Sequence, residues 1–458
     1  MSAGGRPAAA PSGRYAPDER RTDLRAAAAA IAVLEKNWRA SHTLPAAGLY
    51  PHQWSWDSAF IAMGLRHVSA RRAGRELDAL LSAQWDDGRI PQIVFDPHRD
   101  DDYAPGAAFW RSSQIAGAPR SVQTAGLVQP PNHAWAVWAV HEADPTESAR
   151  RHFLERAYPR LVAWHEYLRT RRDRGGRGLV SIVHPWESGT DNSPLWDATL
   201  ATVPDRPLLP VARRDLAHAG AGERPSDRDY DRYFWLAERY RDHDCDDRDA
   251  DYPFLVEDPM FNALLAISEL SLARIAAAIG RPGLPHVERA TEMVNALEAL
   301  WSPELGLYSA ADARTGTRVD AATVNGLIPL LLTSGPHTQE LFVTLEGPRF
   351  LGKGAHLVPS FDVTAPGFAP SRYWRGPAWF NMAWLIAAGA AEQGRADLAA
   401  DLRRQMVRLA VDNGFPEYVN PFTGTPHGTR GFSWTAALVL DVLSASPTRL
   451  PGNGWSDT

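Results

Sequence analysis

Cysteine is nearly absent: the 458-residue chain has one, Cys245. A disulfide framework within the chain is therefore excluded, which fits a reducing compartment. Cys245 is also a poor nucleophile candidate, because "RDHDCDDRD" surrounds it with carboxylates that disfavour a thiolate. Basic charge is not in excess either. The formal net charge is -6 at pH 7, which favours neither a nucleic-acid partner nor an anionic membrane. No window reaches eighteen uninterrupted apolar residues, so no membrane span is expected. The first residues, "MSAGGRPAAAPSGRYAPDERR", lack the apolar core of a secretory signal. They read as a disordered tail over residues 1–21 of a cytoplasmic protein.

Motifs for several chemistries are missing too. The histidines are scattered, without a His-x-x-x-His pair backed by acids, so a zinc site is not expected. The acidic run "DHDCDDRDAD" lacks the ordered glycine and glutamate of a calcium loop. There is no phosphate-binding Gly-rich loop and no Gly-x-Ser-x-Gly elbow. No metal and no cofactor is expected. Strand-like alternation is scarce.

Helical periodicity is what the chain has from Thr22 onward. Leu24, Ala28, Ile31, Leu34 and Trp38 share one stripe, with Thr22 as a candidate cap. Similar patterns cover 56–69, 73–86, 131–143, 146–173, 229–243, 258–280, 284–301, 320–333, 337–347, 376–394, 395–413 and 431–445. Six segments begin with a polar or aromatic cluster and then turn apolar on all sides: "WDSAFIAMGL", "PNHAWAVWAV", "PMFNALLAIS", "ATVNGLIPLL", "PAWFNMAWLI" and "GFSWTAALVL". A helix apolar all round is a buried helix. The intervening helices are amphipathic. Six buried helices alternating with amphipathic ones suit an all-α (α/α)6 toroid, and we expect one domain over 22–445 followed by a tail over 446–458. Long irregular segments near 87–129, 183–228 and 333–374 would wall or cap the end where the inner helices start.

Tryptophan is abundant, at 17 residues, and it pairs a stacking face with an N–H donor. "GLYPHQWSWDSAF", from Gly48, gathers flat rings and one carboxylate just before a helix. A surface that grips a sugar needs that mixture. Carboxylates stand in such surroundings at four places: Asp57, the Glu187/Asp191 loop, Asp258 and Glu417. Hydrolysis of a glycosidic bond needs one protonated and one ionised carboxyl. The loop of Asp191, packed with Pro185, Trp186, Pro194 and Trp196, suits the acid, since a dry setting raises a carboxyl pKa. Glu417, in a Pro/Gly/Asn-rich loop, suits a base that must reach water. Helix N-capping is the competing role for Asp57, Asp191 and Asp258.

The blocks "QWSWDSAF", "WESGTDNSPLWD", "YWRGPAWFNMAWL" and "FPEYVNPFTGTPHGTRGFSWTAALVL" resemble glycoside hydrolase family sixty-three, in its bacterial branch of glucosylglycerate and mannosylglycerate hydrolases. The resemblance runs from about Asp23 to Leu443. It implies an (α/α)6 barrel and inverting hydrolysis of an α-linked sugar, with Asp191 as general acid and Glu417 as general base. Tyr50, Gln53, Trp54, Trp56 and Asp57 would contact the sugar, as would Tyr373, Trp374, Arg375 and Trp379. Arg224 and Tyr230 of "GERPSDRDYDRY" would meet the glycerate, with Tyr103 and Gln129 beside them. Trp186, Glu187 and Trp434, from the same quoted blocks, complete the expected contacts. The expected partner is a small glycoside, 2-O-α-D-glucosylglycerate or its mannosyl analogue. A neutral disaccharide such as trehalose, and a non-catalytic carbohydrate-binding toroid, are the alternatives. The sequence leaves open the choice of hexose and whether the chain forms a homo-oligomer.

Overall fold

The computed structural model describes residues 17–99, 102–204, 216, 220–332 and 335–452. The first helix, Pro17–Asn37, starts inside the stretch expected as a tail, before Thr22. Residues 1–16 lie outside the described residues. The patterns at 56–69 and 73–86 become one helical run, Ser55–Ser82, bent at Ser69 (φ -161°, ψ 103°). Ser69 is extended and its Oγ accepts from the Arg72 amide at 3.3 Å, so it acts as the cap of the second half. The pattern at 146–173 splits into Pro145–Arg150 and Phe153–Arg171, with His152 between them at φ 50°.

The all-round apolar segments neighbour one another in a closed cycle. Ser55–Ser82 packs on His133–Ala143, which packs on Pro259–Ala278, then Val324–Leu331, Phe380–Glu392 and Ser433–Leu443, which returns to Ser55–Ser82. Amphipathic helices lie outside this cycle. Pro17–Asn37 lies on Ser433–Leu443, Leu284–Leu297 on Pro259–Ala278, and Ala396–Asp412 on Phe380–Glu392. The pattern explains the placement. Every residue from Phe380 to Ala390 is buried, whereas Ala396–Asp412 buries only Ala399, Leu402, Met406, Leu409 and Ala410, one stripe at helical spacing.

One inner segment departs from expectation. Val324–Leu331 winds as a 3-10 helix and not an α-helix. Pro329 supplies no N–H to an α-helical ladder, and the chain is pressed so closely that a Cβ on Gly326 would stand 2.0 Å from the Tyr308 carbonyl oxygen. Pro259–Ala278 is, among the described residues, the one helix long and apolar enough to cross a membrane; it is a core member of the cycle, with 83% of its apolar window buried.

Two-residue ladders knit the end where the inner helices begin. Gln53–Trp54 pairs with Ile93–Val94, Val256–Glu257 with Ser181–Ile182 and Ala311–Asp312, and Ala378–Trp379 with Tyr418–Val419. Three of these strands lead into inner helices, so they bind the loops to the frame. At the other end of the chain, residues 446–452 are not a tail. Arg66 Nη2 donates to the Ser446 carbonyl at 3.0 Å, Trp135 Nε1 to the Arg449 carbonyl at 2.8 Å, and Leu450 is buried. Residues 453–458 lie outside the described residues.

Candidate active site

A cavity of about 100 Å³ opens where the inner helices start. A water needs only about 10–15 Å³ by this measure, so the space admits a small ligand. Its lining includes Asp191, Glu417, Tyr50, Trp54, Trp56, Asp57, Tyr103, Gln129, Trp186, Arg224, Tyr230, Tyr373, Trp374, Trp379 and Trp434. These residues come from widely separated parts of the chain; the carboxylates and the opening block were nominated by their own surroundings and most of the others by the family resemblance.

The opening block enters the cavity through Leu49, Tyr50, Trp54, Trp56 and Asp57, and in its two-residue strand Gln53–Trp54 successive side chains face opposite ways. Trp54 lines it. Gln53 does not: its amide donates to Ser58 Oγ and to the Glu76 carbonyl oxygen, both at 3.0 Å, behind the wall. Gln53 is thus a prop of the helix start, a correction to its expected sugar contact. Asp57 sits buried in the first helical turn. Loss of water there, with the charges of Glu417 and Asp191 nearby, holds its carboxyl well above the ordinary range.

A turn at Pro185–Ser188 carries Trp186 into the cavity and Glu187 away from it. Glu187 is fully buried in a two-pronged pair with Arg172, at 2.7 and 2.8 Å. It also accepts from the Val128 and Val183 amides at 3.1 and 2.8 Å. Both oxygens are thus committed to the protein, so Glu187 supports the wall and does not line the ligand space, a second correction. Gly189 follows at φ 71°, and a Cβ on it would stand 2.5 Å from the Trp56 ring. Only glycine lets this turn lie flat on that tryptophan.

Asp191 then lines the cavity, half-buried. Its main-chain carbonyl accepts from the Tyr233 hydroxyl at 2.9 Å, and its Oδ2 from the Tyr373 hydroxyl at 3.4 Å. Burial pushes the carboxyl up to about 7, against the opposing pull of the Arg224 guanidinium and the Tyr373 bond. Tyr373 has φ 37°, rare for a non-glycine residue. That backbone directs the hydroxyl to Asp191 and sets the ring under Arg224, whose guanidinium carbon stands 4.8 Å from the ring centre. Trp374 and Trp379 stack at 3.9 Å as the neighbouring wall. Arg375 turns outward to a pair with Asp197, at 3.0 Å for Nη1. It is a third correction, since it does not line the cavity.

Glu417 is buried on the opposite loop, just before the strand Tyr418–Val419. Oε1 accepts from the Tyr50 hydroxyl at 2.7 Å. Oε2 accepts from the Thr429 amide at 3.2 Å and from Arg224 Nη2 at 3.5 Å. Arg224 Nη1 also donates to Tyr50 at 3.2 Å, while its buried Nε–H finds no acceptor among the described residues. Three donors therefore converge on Glu417, whereas burial favours a proton on Asp191. One cavity thus holds two carboxyls in unlike settings: Glu417 is buried among three donors, and Asp191 is half-buried with one long side-chain bond, from Tyr373.

Asp258 is not in the cavity. It caps Pro259–Ala278, accepting from the Met260 amide at 3.2 Å and from Asn325, so the capping alternative holds there. Asp191 does not cap: Ser193 caps the next turn. Cys245 is buried elsewhere, its thiol pushed up to about 12. Among the described residues, no group of three or more His, Cys, Asp or Glu is arranged to hold a metal.

The sequence reading missed Leu49, Gln92, Ala104, Gly189, Phe234 and Phe432 as lining residues. Gln92 donates to the Trp186 carbonyl at 3.3 Å. Its one signal was a polar residue inside the apolar run "IPQIVF". The phenylalanines gave none, because a ring on a cavity wall and a ring in a core look alike in sequence.

Residues 50–435 match the family model described as the mannosylglycerate hydrolase MGH1-like glycoside hydrolase domain. The chain is 40% identical to a mannosylglycerate hydrolase of Rubrobacter radiotolerans over 90% of this chain and 95% of the relative. It is also 40% identical to a glucosylglycerate hydrolase of Mycolicibacterium hassiacum, over 92% of this chain and 98% of the relative. Among solved structures, the crystal structure of the family sixty-three mannosylglycerate hydrolase of Thermus thermophilus, in complex with Tris and D-glycerate, superposes with a TM-score of 0.84. It shares 40% identity, covering 91% of this chain and 99% of that one.

Proposed function

The chain belongs to the mannosylglycerate hydrolase MGH1-like family of glycoside hydrolases, in the bacterial branch of family sixty-three, and we propose that it hydrolyses a 2-O-α-D-glycosylglycerate to hexose and D-glycerate. The activity class is hydrolysis of an O-glycosidic bond. Glucosylglycerate is the substrate we favour, with the mannosyl analogue also accepted. The closed cycle of six inner segments with outer partners is read as an (α/α)6 toroid, and described residues of the loops near 87–129 and 183–228, among them Tyr103, Trp186 and Asp191, line its cavity.

The observation that carries the reading is the contrast between Asp191 and Glu417 in one cavity. Asp191, held near 7 by burial, keeps a proton to donate to the glycosidic oxygen as the bond to the anomeric carbon breaks. Glu417, held by Tyr50, Thr429 and Arg224, takes a proton from a water that attacks that carbon from the opposite face. The hexose is released with its anomeric configuration inverted. The tryptophan walls give the pyranose faces to stack on. Arg224, a buried cation on the cavity wall whose Nε–H has no acceptor among the described residues, supports recognition of the glycerate carboxylate, and Tyr230 also lines the cavity.

The test is hexose release from glucosylglycerate, mannosylglycerate and trehalose, followed by proton NMR in the first turnovers. We expect turnover of the two acidic glycosides and β-hexose as the first product. Initial α-hexose would remove the inverting assignment, and a preference for trehalose would remove the glycerate assignment.

A further inference from the structure

Arg224 and Glu417 are each flanked by a residue that the hydrolytic reading leaves unused, and those flanking residues are fastened together. Glu223 precedes Arg224 and Tyr418 follows Glu417. The Tyr418 hydroxyl donates to the Glu223 carbonyl oxygen at 3.3 Å. The Glu223 carboxylate reaches His427, with Oε1 at 3.1 Å from Nδ1, and accepts from the Gly428 amide at 3.5 Å. His427 pairs with Tyr418 across the ladder, and their rings lie nearly parallel. Gly428 is pressed against the base itself: a Cβ there would stand 2.3 Å from Glu417 Oε2, and its φ is 66°. Three contacts therefore run from one residue, Glu223, to the hairpin that carries the base.

We propose that Glu223 and His427 form a latch that sets where Arg224 stands over the cavity, making both of them positioning residues for specificity toward an anionic aglycone. The inference rests on Arg224 meeting the glycerate carboxylate, as argued under the proposed function. The segment holding Arg224 enters through a single 3-10 turn, Ala221–Glu223, and leaves into the helix Asp227–Asp242, capped by Ser226. Arg224 Nη2 to Glu417 is a long contact at 3.5 Å, so it does not by itself hold the guanidinium in place. Glu417, in contrast, keeps the Tyr50 hydroxyl and the Thr429 amide whether or not the latch is closed. Opening the latch should thus disturb the clamp more than the base.

The variants are Glu223→Ala, His427→Gln and the double substitution. Each is assayed on glucosylglycerate and on its neutral analogue, glucosylglycerol. A partly exposed contact of this kind should change kcat/KM on the acidic substrate roughly two- to fivefold, chiefly through KM. The neutral substrate should change by less than about twofold. The double variant should lose no more than Glu223→Ala alone, since the two side chains act as a unit. Equal losses on both substrates, or additive losses in the double variant, would overturn the latch. Amide hydrogen exchange over residues 220–226 gives a second readout that needs no substrate. Faster exchange there in Glu223→Ala, with the hairpin unchanged, supports the latch, and unchanged exchange overturns it. If wild type hydrolyses neither glycosylglycerate, the substrate reading fails while the exchange measurement still decides the latch.

Discussion

The Tyr50 hydroxyl donates to Glu417 Oε1 at 2.7 Å across 367 residues of chain. This bond joins the aromatic block before the first inner helix to the loop before the last one. It fixes one oxygen of the proposed base and leaves the other to Thr429 and Arg224. A neutral donor on a carboxylate contributes about 1.5–3 kcal/mol when buried. Tyr50→Phe should therefore lower kcat by about tenfold or more, with little change in KM. Unchanged kcat in the folded variant would show that Tyr50 does not orient the base.

The proposed catalytic pair should be the most sensitive positions. Asp191→Asn and Glu417→Gln keep size and shape but remove proton transfer, which typically contributes about 10²–10⁴-fold for each group. Both variants should fold, with the wild-type circular dichroism spectrum, and lose turnover by that order. More than a tenth of wild-type kcat in either would remove that residue from its role.

The pH profile follows from burial of the acid. As the proposed acid, Asp191 would work only when protonated, and burial pushes its carboxyl up to about 7. Activity should thus fall as pH rises through about 7. The Tyr373 bond and the Arg224 charge both lower this value. Tyr373→Phe should accordingly move the alkaline limb of kcat/KM to higher pH. A limb that stays in place, or moves down, would separate Tyr373 from the acid.

Arg224→Ala should weaken the base contact for every substrate and remove the anion clamp for acidic ones alone. The extra loss in kcat/KM on glucosylglycerate relative to glucosylglycerol should be roughly tenfold or more, the size of a charge-assisted bond. Arg224→Lys should restore part of it, since a point charge cannot offer two parallel donors. Equal losses on both substrates would reduce Arg224 to a support of Glu417.

Two buried carboxyls should give stability of opposite pH sense. Asp258 is raised from 3.8 to about 7, so the folded state holds its proton more tightly than the unfolded chain. Its stabilising effect is present below pH 3.8 and is lost as pH rises toward about 7. Asp441 is lowered instead: burial alone would raise it, but bonds and charge from His67, Arg66 and Thr448 outweigh that. Its stabilisation is present above the ordinary carboxylate range and is lost on acidification. In thermal melts against pH, Asp258→Asn should flatten the decline toward neutral pH, and Asp441→Asn should flatten the decline toward acid. No change of slope in either would show that the partners, not the proton, set these stabilities.

How much of this was legible depended on what each residue's neighbours in sequence could reveal. All-round apolar segments announce burial wherever they lie, and amphipathic ones announce an outer face, so the alternation of inner and outer helices followed from patterning. Asp191, Glu417 and the rings of the opening block were legible from their surroundings, and most other ring positions came from the resemblance of their blocks to the family. Side-chain direction was not. Gln53, Glu187 and Arg375 adjoin lining residues in sequence but point elsewhere, to Glu76, Arg172 and Asp197. Asp258 and Asp57 both stand at the start of an inner helix, and only packing made one a cap and left the other facing the cavity. In Val324–Leu331 the sequence showed Pro329, while the close approach of the Tyr308 carbonyl to Gly326 was visible only in the packing. Hydropathy and local spacing are properties of a residue and its near neighbours, so the sequence by itself determines them. Which way a polar group turns depends on partners brought near only when the cycle of helices closes, and Glu417 met Tyr50 and Arg224 only there.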